Sequence, residues 1–391
     1  MTDCTQAIAT AIAACNQAGG GHVVVPAGTF LTGAVHLRSN VDLHLEQGST
    51  LRFSTDPAAY LPAVYSRWGG IELYNYSPFI YSCGQSNIGI TGSGTLDGQA
   101  SDTYWWPWVN ESGPDWTALQ QMADDGVPVS QRVFGAGHLL RPQFIQPYRC
   151  RDVLIEGVTI TGSPMYHMNP VLCQNVTVRG VSALSQGPNN DGCDPESCSD
   201  VLISGCVFDD GDDCIAIKAG LGADGRRVNV PCENIVITDC DMQNKYGAIA
   251  IGSETTGGVR NVFASDCRMG GSSLHYALYI KTNALIGGFV ENVFLRDIDI
   301  SVINHEALSV NLYHSDTTGT GDYWDTDGAG GYPPLVRNIE VRNLTSQQSL
   351  AGYTLIGYPD DPIRDVRLID CVFDGTATAD SVHNVSGLVI T

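Results

Sequence analysis

The 391-residue chain is predicted to be all-β, a single right-handed parallel β-helix over residues 1–391 with a helix capping its N-terminal end. Three observations predict this fold. Short strands recur at intervals of 23, 25, 34, 27, 31, 46 and 27 residues, each unit opens on Asn or Asp, and 44 glycines supply turns between them. A charged fraction of only 16% leaves few exposed helices, and 43% hydrophobic residues furnish a long core. Length alone would allow two or three domains, but large all-β folds often run as one unit.

Residues 5–18 are rich in Ala and Ile at helical spacing and stop at Gly19-Gly20-Gly21, so residues 1–21 are read as a cap over the open core. Val23-Val24-Val25-Pro26 and Val41-Asp42-Leu43-His44-Leu45 begin the coils. Residues 101–130, with Trp105, Trp106, Trp108 and Trp116, read as a long surface loop beside a groove. The repeat proper starts at Asp152, Asn175, Asp200, Asn234, Asn261, Asn292, Asn338 and Asp365. Each start is followed by two apolar residues at period two, such as Val153/Ile155, Val176/Val178, Ile235/Ile237 and Val366/Leu368, as in a half-buried strand. Six residues after each start comes another core position: Val158, Val181, Cys206, Cys240, Cys267, Ile298, Leu344 and Cys371. Successive coils would lie about 4.8 Å apart. The 46-residue interval, with Asp322-Tyr323-Trp324 and Gly328-Ala329-Gly330-Gly331, places a second groove loop at residues 315–335.

Thirteen cysteines is an odd number, so at least one is unpaired or pairs with another chain. Cys193 and Cys198 are close enough to be considered for a bridge across a loop. Cys206, Cys240, Cys267 and Cys371 occupy positions that elsewhere hold Val, Ile or Leu, so they are read as stacked buried hydrophobes. No apolar run approaches the roughly 18 residues of a membrane span. Residues 1–12 lack a basic segment followed by an apolar one, so the chain is expected to be either cytoplasmic or a trimmed form of an exported protein.

A formal charge of −22 excludes a basic nucleic-acid-binding surface. It would also repel an anionic polysaccharide, so such a site would have to be locally basic. The three lysines of the chain, Lys218, Lys245 and Lys281, all fall shortly after the acidic motif. Chance clustering explains that blandly; a cationic pocket for carboxylates explains it functionally.

The acidic motif is Pro188-Asn189-Asn190-Asp191-Gly192 followed by Gly211-Asp212-Asp213-Cys214. Such acids suit calcium loops and plain turns as well as glycoside hydrolysis, which needs one carboxyl to protonate the leaving oxygen and one to activate water. Asp212 and Tyr246 each lie 12 residues after the start of their coils and should be neighbours. Asp191, Asp212 and Asp213 are therefore expected to point to solvent along one edge.

With these residues in place the chain resembles glycoside hydrolase family 28, the polygalacturonases and their relatives, over essentially its full length. Residues 66–78 resemble the N-terminal signature of the bacterial and plant-like branch, Asn189-Asn190-Asp191 the family's Asn-Thr-Asp motif, and Gly211-Asp212-Asp213 its paired aspartates. The resemblance implies inverting hydrolysis without metal or other cofactor. Asp212 would be the general acid, its pKa raised by acidic neighbours, and Asp191 and Asp213 the base that activates water, with the acid and base 6.5–9.5 Å apart.

Two family motifs are altered. Gly-His-Gly aligns with Lys245-Tyr246-Gly247 and Arg-Ile-Lys with Tyr279-Ile280-Lys281. A further family histidine falls at Asn169, with His167 nearby. Tyr246, Tyr279, Lys281, Lys245 and Asn189 are thus the expected substrate-binding residues. Tyrosine offers a flat face in place of arginine's fork, which points to a changed leaving-group side, such as rhamnogalacturonan or a decorated residue. Drift in a weakly active paralogue is the bland alternative. A pectate lyase and a non-catalytic pectin-binding solenoid are the other readings. The expected partner is a pectic polysaccharide or oligosaccharide, with neither nucleic acid nor membrane, and the chain is expected to be a monomer. Pectin degradation at a cell wall would place the protein outside the cell or in the periplasm.

Overall fold

The computed structural model describes residues 2–243, 245–314 and 330–391. The repeat positions stack in parallel register: Val153 pairs with Val176, Val176 with Val201, Val201 with Ile235, and so on through Val262, Val293, Ile339 and Val366. This is the predicted β-helix, built because period-two side chains alternate between a shared core and solvent. A second parallel sheet runs along the opposite wall. In it Val35, Ile80, Ile145, Met168, Cys193, Ile215, Ile249, Leu278 and Leu308 pair coil after coil.

Every Asn or Asp that opens a coil is left-handed, with φ between 53° and 60° from Asp152 to Asp365. Asn and Asp tolerate this conformation because their short polar side chains bond locally. Here the side chains also bond upward: Asn175 Nδ2 donates to Asp152 at 2.6 Å, Asn261 to Asn234 at 3.0 Å, and Asn338 to Asn292 at 2.7 Å. Five residues further on is a second left-handed column, Gly157, Gly180, Gly205, Asp239, Asp266, Asp297, Asn343 and Asp370, which sets the next corner.

The N-terminal helix α1 (Thr5–Gln17) forms as expected, and its Ile12 is buried in the core. Residues 101–130 are not an open loop. They hold a 3-10 turn (Trp106–Asn110) and helix α2 (Gly113–Asp124), with Trp105 and Trp116 buried, because tryptophans this large drive packing rather than exposure. The signature segment departs from the parallel plan too: Val64–Trp68 and Ile71–Asn75 form an antiparallel hairpin. Buried Arg67 on this hairpin pairs with Glu196 at 3.3 Å, and Glu72 receives Arg149 at 3.1 Å, tying the hairpin to the coils. The predicted loop at 315–335 lies outside the described residues from 315 to 329, including Asp322, Tyr323, Trp324, Gly328 and Ala329.

No disulfide joins any of the thirteen cysteines. Cys193 and Cys198 do not bridge; Cys193 is an inward rung of the second sheet, and Cys198 belongs to a stack with Cys150 and Cys173. Cys206, Cys240 and Cys267 are buried as expected, with Cys371 partly so. No helix among the described residues is long and apolar enough to cross a membrane.

Asn261 receives Asn292 at 2.9 Å besides donating to Asn234, so Asn261→Ala loses both bonds and strains the backbone. Chemical denaturation is expected to show a loss of about 1–3 kcal/mol. Asn261→Gly, which tolerates the positive φ, should lose less than the alanine variant.

Candidate active site

The acids meet because of the second sheet's register. Asp191 lies two residues before Cys193 and Asp213 two residues before Ile215, and Cys193 pairs with Ile215. The two carboxylates therefore occupy one position on consecutive coils. Asp212 sits beside them, and one oxygen of each of the three lies within 4.8 Å of the others. This is closer than the spacing expected for an inverting acid and base, because the register stacks the acids directly instead of splaying them. A water hydrogen-bonded at about 2.8 Å to two such oxygens fits between them.

The expected solvent-facing edge is also corrected. Asp191 and Asp213 are buried, at 3% and 0% exposure, and only Asp212 keeps partial access. Burial of charge requires partners. Asp213 has them: the Gly247 N–H donates to Oδ1 at 2.7 Å, and Lys281 Nζ to Oδ2 at 2.8 Å. Lys218 Nζ stands 3.8 Å from Asp191 Oδ2. The Asp213 N–H donates to Asp212 Oδ1 at 3.0 Å.

Burial is the main cause that pushes the Asp212 carboxyl up to about 6, with the Asp213 charge second and Lys281 opposing. The sequence expectation of a raised pKa holds, but acidic neighbours are the lesser cause. Asp191 is also held well above the usual carboxylate range, first by burial and then by Asp194 and Asp212, against the pull of Lys218.

A buried cradle fixes the loop that carries Asp191. Asn190 donates to the Ser163 and Met165 carbonyls at 3.0 Å each and accepts from Ser185 at 2.6 Å. Arg141, which sequence reasoning missed, donates to the Pro188 carbonyl at 2.7 Å and to Asn189 Oδ1 at 2.7 Å. Burial lowers its pKa to about 10, so it stays a cation near neutral pH. Asn189 in turn reaches Asp212 Oδ2 at 3.5 Å, so its amide is a strut for the acid as well as a candidate sugar contact. Gly187 must be glycine, because a Cβ there would meet the Trp106 indole at 2.2 Å. Residues 101–130 thus do reach the site, as a wall and not as a loose loop.

His167 and Asn169 are both fully buried, and Asn169 faces Gln146 beneath the hairpin. His167 Nδ1 contacts the Asp191 carbonyl at 2.9 Å, and burial drops its pKa to about 4, so it is neutral. Asn169 donates to the Asp194 carbonyl at 2.8 Å.

On the other side of the acids is an aromatic wall. Tyr279 stacks on Tyr276 with centroids 4.1 Å apart, and its ring lies 5.1 Å from Lys281 Nζ. Tyr246 packs edge-on to His275 at 5.2 Å, and His275 leans on His305 at 4.4 Å. Tyr276, His275 and His305 add to the two tyrosines singled out from the sequence. Lys245 is exposed, whereas Lys218 and Lys281 are half or wholly buried against carboxylates. The three lysines do not form one open cationic pocket; Lys218 and Lys281 are set against Asp191 and Asp213.

The family model for glycosyl hydrolases family 28 matches residues 135–386. An exopolygalacturonase from Thermotoga maritima has a similar structure, with 40% identity and a TM-score of 0.93, covering all of this chain and 88% of that one. A probable polygalacturonase of Vitis vinifera is 28% identical across 93% of this chain and 69% of its own length. An exo-poly-α-D-galacturonosidase of Dickeya chrysanthemi is 26% identical across 93% of this chain, which spans 62% of that enzyme.

Carbon-13 NMR of labelled aspartate, assigned by loss of the signal in Asp212→Asn, is expected to show Asp212 titrating near 6. Lys281→Met removes a charge that favours the carboxylate, so the midpoint should rise. A midpoint near 4 in the wild type would contradict the burial argument.

Proposed function

The chain belongs to glycosyl hydrolases family 28 and is a glycosidase, and from that premise we propose that it hydrolyses α-linked galacturonosyl bonds in pectic chains or oligosaccharides. The observation that carries this reading is the triplet of Asp191, Asp212 and Asp213 oxygens within 4.8 Å, two buried beside lysines and one partly open with a raised pKa. Asp212 is protonated below about 6 and donates its proton to the leaving glycosidic oxygen. Asp191 and Asp213 hold a water between them and accept its proton as it attacks the anomeric carbon. Asp213 is a poor nucleophile, since Lys281 and the Gly247 amide already engage both of its oxygens, which favours direct attack by water in a single displacement.

The leaving-group side differs from a plain galacturonate site. Where the family pattern has arginine, Tyr279 offers a ring stacked on Tyr276, and the Lys281 ammonium is committed to Asp213. A stacked tyrosine pair suits the apolar face of a sugar without a carboxylate, such as rhamnose, or a decorated residue. Lys281 and Asn189 remain candidate contacts for the sugar whose bond is cut, and exposed Lys245 for a more distant carboxylate. Polymeric pectin as substrate would call for export of the enzyme, in keeping with the extracellular or periplasmic expectation, and a monomer suffices because every acid and countercharge comes from one chain.

Mass-spectrometric product profiles on homogalacturonan, rhamnogalacturonan and xylogalacturonan fragments test the reading. Asp212→Asn is expected to lower hydrolysis by about 10²–10⁴-fold while leaving fold and ligand binding intact. Wild-type-like hydrolysis in that variant would sink the assignment. Tyr279→Arg is expected to shift the ratio of kcat/KM values toward homogalacturonan, and an unchanged ratio would count against a neutral leaving-group site.

A further inference from the structure

Lys218 is buried, with 5% of its side chain exposed, and lies five residues beyond Asp213 on the same coil. Its ammonium faces three carboxylates at once: Glu254 at 3.1 Å, Asp194 at 3.6 Å and Asp191 at 3.8 Å. The Tyr166 ring closes the fourth side at 5.2 Å. Asp194 is fully buried, and burial holds its carboxyl well above the usual carboxylate range, against the pull of Lys218 and of a hydrogen bond from Asp191. Its cationic partner is Lys218, 3.6 Å from Oδ2. Nothing in the mechanism above uses Asp194 or Glu254.

Resting on the proposed hydrolysis, we propose that Lys218 and Asp194 act as opposed positioning residues for Asp191, Lys218 stabilising its carboxylate and Asp194 its protonated form. The geometry supports an antagonistic pair. An opposite charge within about 4–6 Å favours the ionised carboxylate, and a like charge in the same dry pocket disfavours it. Asp191 is also faced by Asp212, Asp213 and the phenol of Tyr166, and the Arg141 guanidinium acts on it from the far side of its loop. Its backbone carbonyl, not its carboxylate, meets His167. None of these replaces Lys218, because Lys281 is bonded to Asp213 and Arg141 to backbone carbonyls and Asn189. Glu254 shares the ammonium, its Oε2 accepting from Lys218 Nζ at 3.1 Å.

The test is the acidic limb of the kcat/KM–pH profile on the best pectic substrate. Lys218→Met is expected to move that limb up by about one pH unit or more, and Asp194→Asn to move it down. Lys218→Met should lower kcat by about ten-fold or more at neutral pH with KM little changed. Lys218→Arg, which keeps the charge, should restore much of the limb. A merely structural role would lower activity in both variants without opposite shifts, so unmoved limbs or shifts in one direction overturn the proposal. If Lys218→Met does not fold, Asp194→Asn decides alone: a downward shift supports the proposal and an unmoved limb overturns it. A wild-type enzyme inactive on every pectic substrate would instead fail the hydrolase reading. The titration of Asp191 by carbon-13 NMR in the same variants then tests this inference by itself.

Discussion

The stacking of coils in fixed register is the constraint on which the rest of the structure depends. A residue on one coil has its equivalents directly above and below, about 4.8 Å away. Aligned apolar positions therefore make a continuous core, and aligned asparagines make a hydrogen-bonded ladder at one corner. The same rule applied to Asp191 and Asp213 brings two carboxylates together that would otherwise repel. Such an arrangement persists only if countercharges come with it, and Lys281 and Lys218 are those countercharges. Site and scaffold are one consequence of the same periodicity.

Much of this was legible in the chain. Period-two apolar pairs after each Asn or Asp mark the strands, and the cysteines at the next inward position mark a core column because they replace Val, Ile and Leu. The acids were legible as residues but not as a geometry. Counting from the Asn/Asp corner puts Asp212 level with Tyr246, while the burial of Asp191 follows from the second sheet, whose inward residues are Met168, Cys193 and Ile215. Counting from those residues would have placed Asp191 over Asp213 and identified Cys193 as core instead of half of a bridge. Arg141 and the hairpin at Val64–Asn75 act across 47 to 130 residues of sequence, and no local pattern reports contacts of that span. The tryptophans of residues 101–130 suggested a groove, but their size also buried them, and helix α2 formed around them.

The site separates reaction from specificity. The three acids and two lysines form a nearly closed electrostatic unit, in which each buried carboxylate has a cation in reach and Asp212 alone is left partly open. Tyr246, Tyr276 and Tyr279 form a separate wall whose contacts are aromatic. Under the proposed hydrolysis, substitution along that wall would change the leaving-group side without disturbing the acid cluster. The paired aspartates match the family motif, whereas Tyr246 and Tyr279 stand where its Gly-His-Gly and Arg-Ile-Lys motifs have His and Arg.

The compact acid cluster makes one claim that a single measurement can test. Oxygens within 4.8 Å of one another are closer than the separation usual for inverting glycosidases, yet the engaged oxygens of Asp213 argue for water as the direct attacker. Proton NMR of the first product formed, read before mutarotation, reports the anomeric configuration at the cleaved bond. Direct attack by a water held between Asp191 and Asp213 predicts the β-anomer from an α-linked substrate. Initial release of the α-anomer would mean a covalent intermediate and would contradict the account.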